Sequence, residues 1–203
     1  MPETSYYGIL ANLFNEVGKS LKPRVRCIIN IRNRGAGIPD GGLFTPDQFQ
    51  RSSKTEPIAG LPPSRGAIEI KPTKDDAWIT TDSRQVSRYW DRYGQVLVTN
   101  YRDFVLVGRN ADGHPTNLET YRLAENEAEF WQAVEHPRRF AEIHGERFIE
   151  YLKRVMLHAA RSRRPRMSHG FWPRMRATPR LGSNTPSYPR SRPYEPPSKK
   201  PSA

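Results

Sequence analysis

One cysteine, Cys27, occurs in 203 residues. A lone thiol excludes an internal disulfide framework and any zinc site built on several cysteines. No stretch approaches the roughly 18 consecutive apolar residues that a membrane-spanning helix needs. The opening Met-Pro-Glu-Thr-Ser lacks the basic region and apolar run of a secretory signal. The expected setting is therefore reducing and cytoplasmic, with no membrane attachment. The histidines, His114, His136, His144, His158 and His169, are scattered without ligand spacing. A glycine-rich phosphate loop, a Ser-His-Asp set and a zinc motif are also missing from the sequence.

Acid is nearly absent from the C-terminal end. Residues 161–203 hold 11 Lys and Arg against one acid, Glu195, and carry +10 of the formal +12 charge. Nine of the 19 prolines lie there, and Phe171, Trp172 and Leu181 show no period. Such a segment buries too little apolar surface to offset chain entropy, so it reads as a disordered basic tail. Attraction to polyanions is the expected consequence. A solvated tail without function, or the truncated or frame-shifted end of a longer chain, are the other two readings. The body, residues 1–160, holds 22 basic and 20 acidic groups and is close to neutral.

The body reads as a mixed α/β domain. Tyr6, Leu10, Leu13, Phe14, Val17 and Leu21 recur at helical spacing, and Pro23 closes that helix. Val25 to Ile31 is a β-branched strand, followed by a loop with Gly35, Gly37 and Pro39. A short run, residues 42–45, precedes a long polar loop over 46–65. Ala67 to Lys71 is a strand stopped by Pro72. Residues 83–93 form a helix, with Asp82 or Ser83 as N-cap and Gly94 after its end. Residues 96–99 and 104–107 are two strands of a hairpin with a four-residue turn. Phe130 to Val134 and Phe140 to Met156 are helical, with Pro137 at the break. Cys27, Trp90 and Tyr93 read as core residues.

Polar residues in the middle of this order point to chemistry. Asp40 follows Pro39 at the mouth of the second strand. Glu69 and Lys71 are two apart on the next strand and so share a face, opposite Ile68 and Ile70. Two carboxylates on adjacent strand ends, helped by the Ile70 carbonyl, can hold Mg²⁺ through oxygen ligands. A lysine beside them can orient or deprotonate a water and offset charge building on a phosphorus centre. Those are the parts that metal-assisted phosphodiester hydrolysis needs. The rival reading makes Asp40, Glu69 and Lys71 solvated charges on an exposed strand face. Glu16 on the first helix and Gln85 in the first turn of the 83–93 helix are further candidates, or plain helix surface. Arg84, Arg88 and Arg92 recur along one helical face, where they could contact DNA phosphates or pair with Asp82 and Asp91. Asp75 and Asp76 beside Trp78 could approach the site or sit in a solvated loop.

Five segments carry a resemblance: Asn12-Leu13-Phe14-Asn15-Glu16-Val17-Gly18, Gly37-Ile38-Pro39-Asp40-Gly41-Gly42, Arg65-Gly66-Ala67-Ile68-Glu69-Ile70-Lys71, Gln85-Val86-Ser87-Arg88-Tyr89, and the stretch from Val96 through Thr99-Asn100-Tyr101 to Phe104. With these the chain resembles the PD-(D/E)xK nuclease superfamily. Within it, the chain is similar to the nuclease domain at the N-terminus of type II restriction endonucleases fused to adenine-specific DNA methyltransferases. The resemblance implies a restriction-endonuclease-like core of helix, three strands, helix and strand, with C-terminal helices added. It implies Asp40 and Glu69 as Mg²⁺ ligands, Lys71 as catalytic lysine, Gln85 supporting the water or a phosphate, and Glu16 assisting at the metal. Thr99, Asn100 and Tyr101 would shape a hairpin beside the site. An S-adenosylmethionine pocket and the Asn-Pro-Pro-aromatic motif of the fused enzymes are absent from this sequence, so methylation is not expected of it.

The sequence thus supports a Mg²⁺-dependent DNA endonuclease domain of a prokaryotic restriction–modification system. A methyltransferase or specificity subunit, and a second copy of the chain, are its expected partners. The alternative is a catalytically silent DNA-binding module or a truncated fragment of a restriction–methyltransferase fusion. Near-neutrality of the body favours the alternative, and the intact Asp/Glu-x-Lys set favours the enzyme.

Overall fold

Helix α1, Tyr7–Lys19, forms because its apolar residues return every three or four positions. Tyr7, Leu10, Phe14 and Val17 are buried on one face. In the computed structural model, which describes residues 6–31, 37–50 and 53–158, that face packs on a six-stranded sheet. The chain divides into two units, Met1–Arg164 and Pro165–Ala203. The basic tail expected from the sequence lies outside the described residues.

The sheet runs β1 (Arg26–Ile29), β2 (Gly41–Phe44), β5 (Ala67–Ile70), β6 (Val96–Thr99), β7 (Asp103–Arg109), β8 (Pro115–Arg122) in spatial order. β2 runs antiparallel to both of its neighbours, β1 and β5. β5 and β6 are parallel, so the chain must cross over between them. It does so through α2 (Ala77–Thr81) and α3 (Arg84–Tyr93). This is the helix, three-strand, helix, strand order of a restriction-endonuclease-like core. β6, β7 and β8 continue the sheet as an antiparallel meander, and α4 (Glu127–Val134) and α5 (Pro137–Leu157) follow.

Both faces of the central strands are covered, which is why every residue of β5 and β6 is buried and, Glu69 and Thr99 apart, apolar. Ile68, Ile70, Leu97 and Phe104 face α1 and α5, where Phe14, Leu152 and Met156 are fully buried. Ala67, Val96, Val98 and Val105 face α3 and its Val86, Tyr89, Trp90 and Tyr93. Each such large apolar side chain contributes about 1.5–3 kcal/mol on burial. The Ser83 hydroxyl caps α3 by accepting from Val86 N–H, and Gly94 ends it at φ 81°, a left-handed conformation that glycine adopts without strain.

Three stretches differ from the sequence reading. The supposed loop over 46–65 contains a short 3₁₀ turn, Pro46–Gln48, and a separate two-stranded ribbon, β3 (Phe49–Gln50) and β4 (Ser53–Pro57). Its strands are too short and polar to show a period. The Asp75-Asp76 region is no open loop: Asp76 accepts from Trp78 and Ile79 N–H and caps α2. β8 was missed because Pro115-Thr-Asn-Leu-Glu-Thr-Tyr-Arg122 is an edge strand with no fully buried residue. The β6–β7 turn takes three residues, 100–102, rather than four. No described helix is long and apolar enough to cross a membrane.

Candidate active site

The antiparallel register of β2 with β5 sets Gly41 against Ile68 and Gly42 against Ala67. Continued by one residue, it sets Asp40 opposite Glu69. The ladder does not continue as a backbone pair there. Asp40 Oδ2 instead accepts from Ile70 N–H at 2.7 Å. Asp40 Oδ1 accepts from the Tyr7 hydroxyl at 2.9 Å, and the Asp40 carbonyl accepts from Asn30 N–H at 2.7 Å. Residues from α1, the end of β1, the mouth of β2 and β5 thus meet at one point.

Glu69 and Lys71 occupy the same face, as alternation requires. Glu69 Oε1 and Lys71 Nζ lie 2.6 Å apart. Their surroundings are not those of a solvated strand face. The Glu69 side chain is 1% exposed and that of Lys71 26%. A buried carboxylate is strongly disfavoured without a compensating charge, and Lys71 supplies one. Asp40 is half-buried, so the cluster reaches solvent through Asp40 and Lys71.

α3 closes the other wall. Its first turn carries Gln85, whose Nε2 donates to the Tyr89 hydroxyl at 3.1 Å. The two are four apart and therefore stacked on one helical face. Burial raises the Tyr89 pKa first of all; the hydrogen bond from Gln85 opposes that, and the negative charges of Glu69 and Asp40 raise it further. The phenol thus keeps its proton at neutral pH and stands within electrostatic reach of both carboxylates. Gly37, at φ 106°, brings the loop before Asp40 against this ring: a Cβ there would stand 3.4 Å from the Tyr89 hydroxyl.

The end of β5 is fixed from its other neighbour. Lys71 N–H donates to the Thr99 carbonyl at 2.8 Å. Thr99 Oγ1 accepts from Tyr101 N–H, and Asn100 Nδ2 donates to the Asp75 carbonyl at 2.7 Å. Asn100 Oδ1 accepts from Arg102 and Asp103 N–H. Thr99, Asn100 and Tyr101 therefore shape the turn beside the strand that carries Lys71.

The structure brings Asp40, Glu69, Lys71 and Gln85 into one region. It does not bring Glu16 there. Glu16 is an exposed residue paired with Lys19, and at 1.5 Å per residue it lies about 13 Å along α1 from Tyr7. Its neighbour Asn15 is bonded to the Cys27 backbone, toward the opposite end of β1. Arg84, Arg88 and Arg92 are exposed on α3, about 6 Å apart along the axis, on a ridge that starts at the turn carrying Gln85. Tyr7 and Tyr89 were given no role from the sequence. Both were findable: Tyr7 opens the buried series Tyr7, Leu10, Phe14, Val17, and Tyr89 follows Gln85 by one helical repeat.

The donor set fits a small hard cation. Asp40 and Glu69 offer carboxylate oxygens, and Mg²⁺ is commonly held by one or two carboxylates with waters and phosphate oxygens completing the shell. Among the described residues no group of three or more His, Cys, Asp or Glu side chains converges as a metal site.

No family model matches the sequence, and no curated protein matches it. Solved structures similar to this chain include a cryoEM structure of a DrdV–DNA complex, 18% identical with a TM-score of 0.39 over 59% of this chain and 10% of that one. They also include the crystal structure of a candidate nuclease belonging to DUF820 from Anabaena variabilis ATCC 29413. That structure is 14% identical with a TM-score of 0.39, over 77% of this chain and 84% of that one. The chain spans only a tenth of the length of the DrdV chain it matches.

Proposed function

We propose that this domain hydrolyses DNA phosphodiester bonds in a Mg²⁺-dependent reaction through Asp40, Glu69 and Lys71. One observation carries the reading: the Asp40 carboxylate is anchored on Ile70 N–H, between Glu69 and Lys71 of the neighbouring strand. Residues 30 apart in the chain are thereby gathered at the end of two strands where solvent can enter.

Hydrolysis joins a water oxygen to phosphorus and breaks the bond to one deoxyribose oxygen. A proton leaves the water and another reaches the departing oxygen. Mg²⁺, held by Asp40 and Glu69, would polarise the phosphate and acidify a water. Lys71 orients that water and neutralises charge accumulating on the phosphate oxygens, while Glu69 fixes the direction of its ammonium. Gln85 faces the water or a phosphate oxygen. Tyr89, which accepts from Gln85, retains its own proton for donation into the site. Arg84, Arg88 and Arg92 contact phosphates along the strand leading away from the cleaved bond. The setting is a cytoplasmic restriction–modification system in which a methyltransferase or specificity subunit supplies sequence recognition. A second copy of the chain would cut the second strand.

The test is nicking of supercoiled plasmid by the full chain with Mg²⁺, with EDTA, and by the Lys71→Ala variant. Cleavage by the unmodified chain alone is expected. Nicking that survives EDTA or Lys71→Ala removes the mechanism. Binding without nicking, weakening steeply with salt, would establish the silent DNA-binding module instead.

A further inference from the structure

Tyr7 stands at the opposite side of the sheet from Glu69. It belongs to the cluster that packs α1 onto Ile68 and Ile70, whereas Glu69 and Lys71 project toward α3. Tyr7 is 7% exposed, and its hydroxyl reaches past the end of β2 to donate to Asp40 Oδ1. The other oxygen of the same carboxylate is held by Ile70 N–H. A carboxylate has about four acceptor positions on its two oxygens. Tyr7 and Ile70 take one on each oxygen and so fix the rotation of the group about its last bond. About one position on each oxygen is left over.

We infer that Tyr7 is a positioning residue for a divalent cation at Asp40: it orients the carboxylate from behind the sheet without touching metal or DNA. This rests on the metal-dependent reading above. α1 therefore contributes to the site through its first turn rather than through Glu16. Hydroxyl donors of this kind, bonded to a metal-binding group rather than to the metal, typically change metal affinity 10–100-fold.

The experiment is Mn²⁺ binding to the full chain by isothermal titration calorimetry, with Tyr7→Phe, Asp40→Asn and the double variant, each checked by thermal unfolding. The expected result is a Kd about 10–100-fold weaker for Tyr7→Phe. Asp40→Asn should show no binding, and Tyr7→Phe should add nothing in that background. Plasmid cleavage should then need more Mg²⁺ for half-maximal rate in Tyr7→Phe, with the KM for DNA unchanged. If Asp40→Asn loses Mn²⁺ but Tyr7→Phe binds as tightly as the unmodified chain, the inference is overturned while the metal site stands. If the unmodified chain binds no Mn²⁺, or Asp40→Asn binds equally well, the metal reading fails and takes this inference with it. A Tyr7→Phe chain that did not fold would also overturn it, by making the hydroxyl a structural group.

Discussion

Glu69 on β5 and Lys71, the residue just past its end, are two positions apart, and their charged ends meet at 2.6 Å with the carboxylate almost wholly out of water. Removing the lysine alone takes its ammonium away from a buried carboxylate. Lys71→Ala should therefore lower stability by about 3 kcal/mol and cleavage by about 10²–10³-fold. Adding Glu69→Gln removes the charge of that carboxylate. The double variant should regain most of the stability and none of the activity. Urea unfolding and plasmid nicking of the two variants, run in parallel, check both halves.

Asp103 is 1% exposed and accepts from Arg102 Nε at 3.0 Å, Arg122 Nε at 2.7 Å and Asn100 Nδ2 at 3.3 Å. Together with Asn100 it closes the β6–β7 turn and ties in β8. Asp103→Ala should cost about 2–4 kcal/mol, because several charge-assisted bonds go at once and Arg102 is left nearly buried. Asp103→Asn, which keeps an acceptor, should cost less. Urea midpoints of the two variants check the order.

Cys27 lies buried on β1 with its backbone bonded to Asn15. Burial pushes its thiol pKa up to about 12. The nucleophilic thiolate is then essentially absent at neutral pH. A disulfide reagent such as Ellman's should find no reactive thiol in the native chain and one after denaturation. Rapid native labelling would contradict the placement of β1.

His144 on α5 sits with its ring 3.3 Å from the Tyr121 hydroxyl. Burial, and then the charge of Arg147, hold its pKa below the usual 6.5. The neutral ring is the form the fold prefers. Its contribution is complete above pH 6.5 and declines as pH falls below that value, because the unfolded chain takes up the proton first. The decline ends once the folded form is protonated too. Stability measured at pH 7.5 and pH 5.5 should show this loss, and His144→Gln should reduce it.

The elements that govern the site were legible because their signals are local and strong. Ser83 and Gly94 bracket α3 in the sequence as they do in the structure. The alternation through Ile68, Glu69, Ile70 and Lys71 fixed which side chains share a face. What sequence spacing could not supply was burial. Glu-x-Lys on a solvated edge and Glu-x-Lys under a helix read alike, and only the packing of α3 over β5 separates them. Glu16 misled for a related reason. A helix pattern gives the face of a residue but not its height along the sheet, and the site lies level with Tyr7. β8 escaped because none of its residues is fully buried, so its alternation leaves little apolar signal in the sequence.

The amide of Ile70 finds its acceptor in a side chain rather than in a neighbouring strand. On the proposed function, chemistry and architecture share one carboxyl group. A lineage drifting away from cleavage could not simply discard Asp40, since an alanine there would leave a main-chain donor unanswered in the middle of the molecule. Asparagine, still able to accept, is the substitution by which such a descendant would first be recognised.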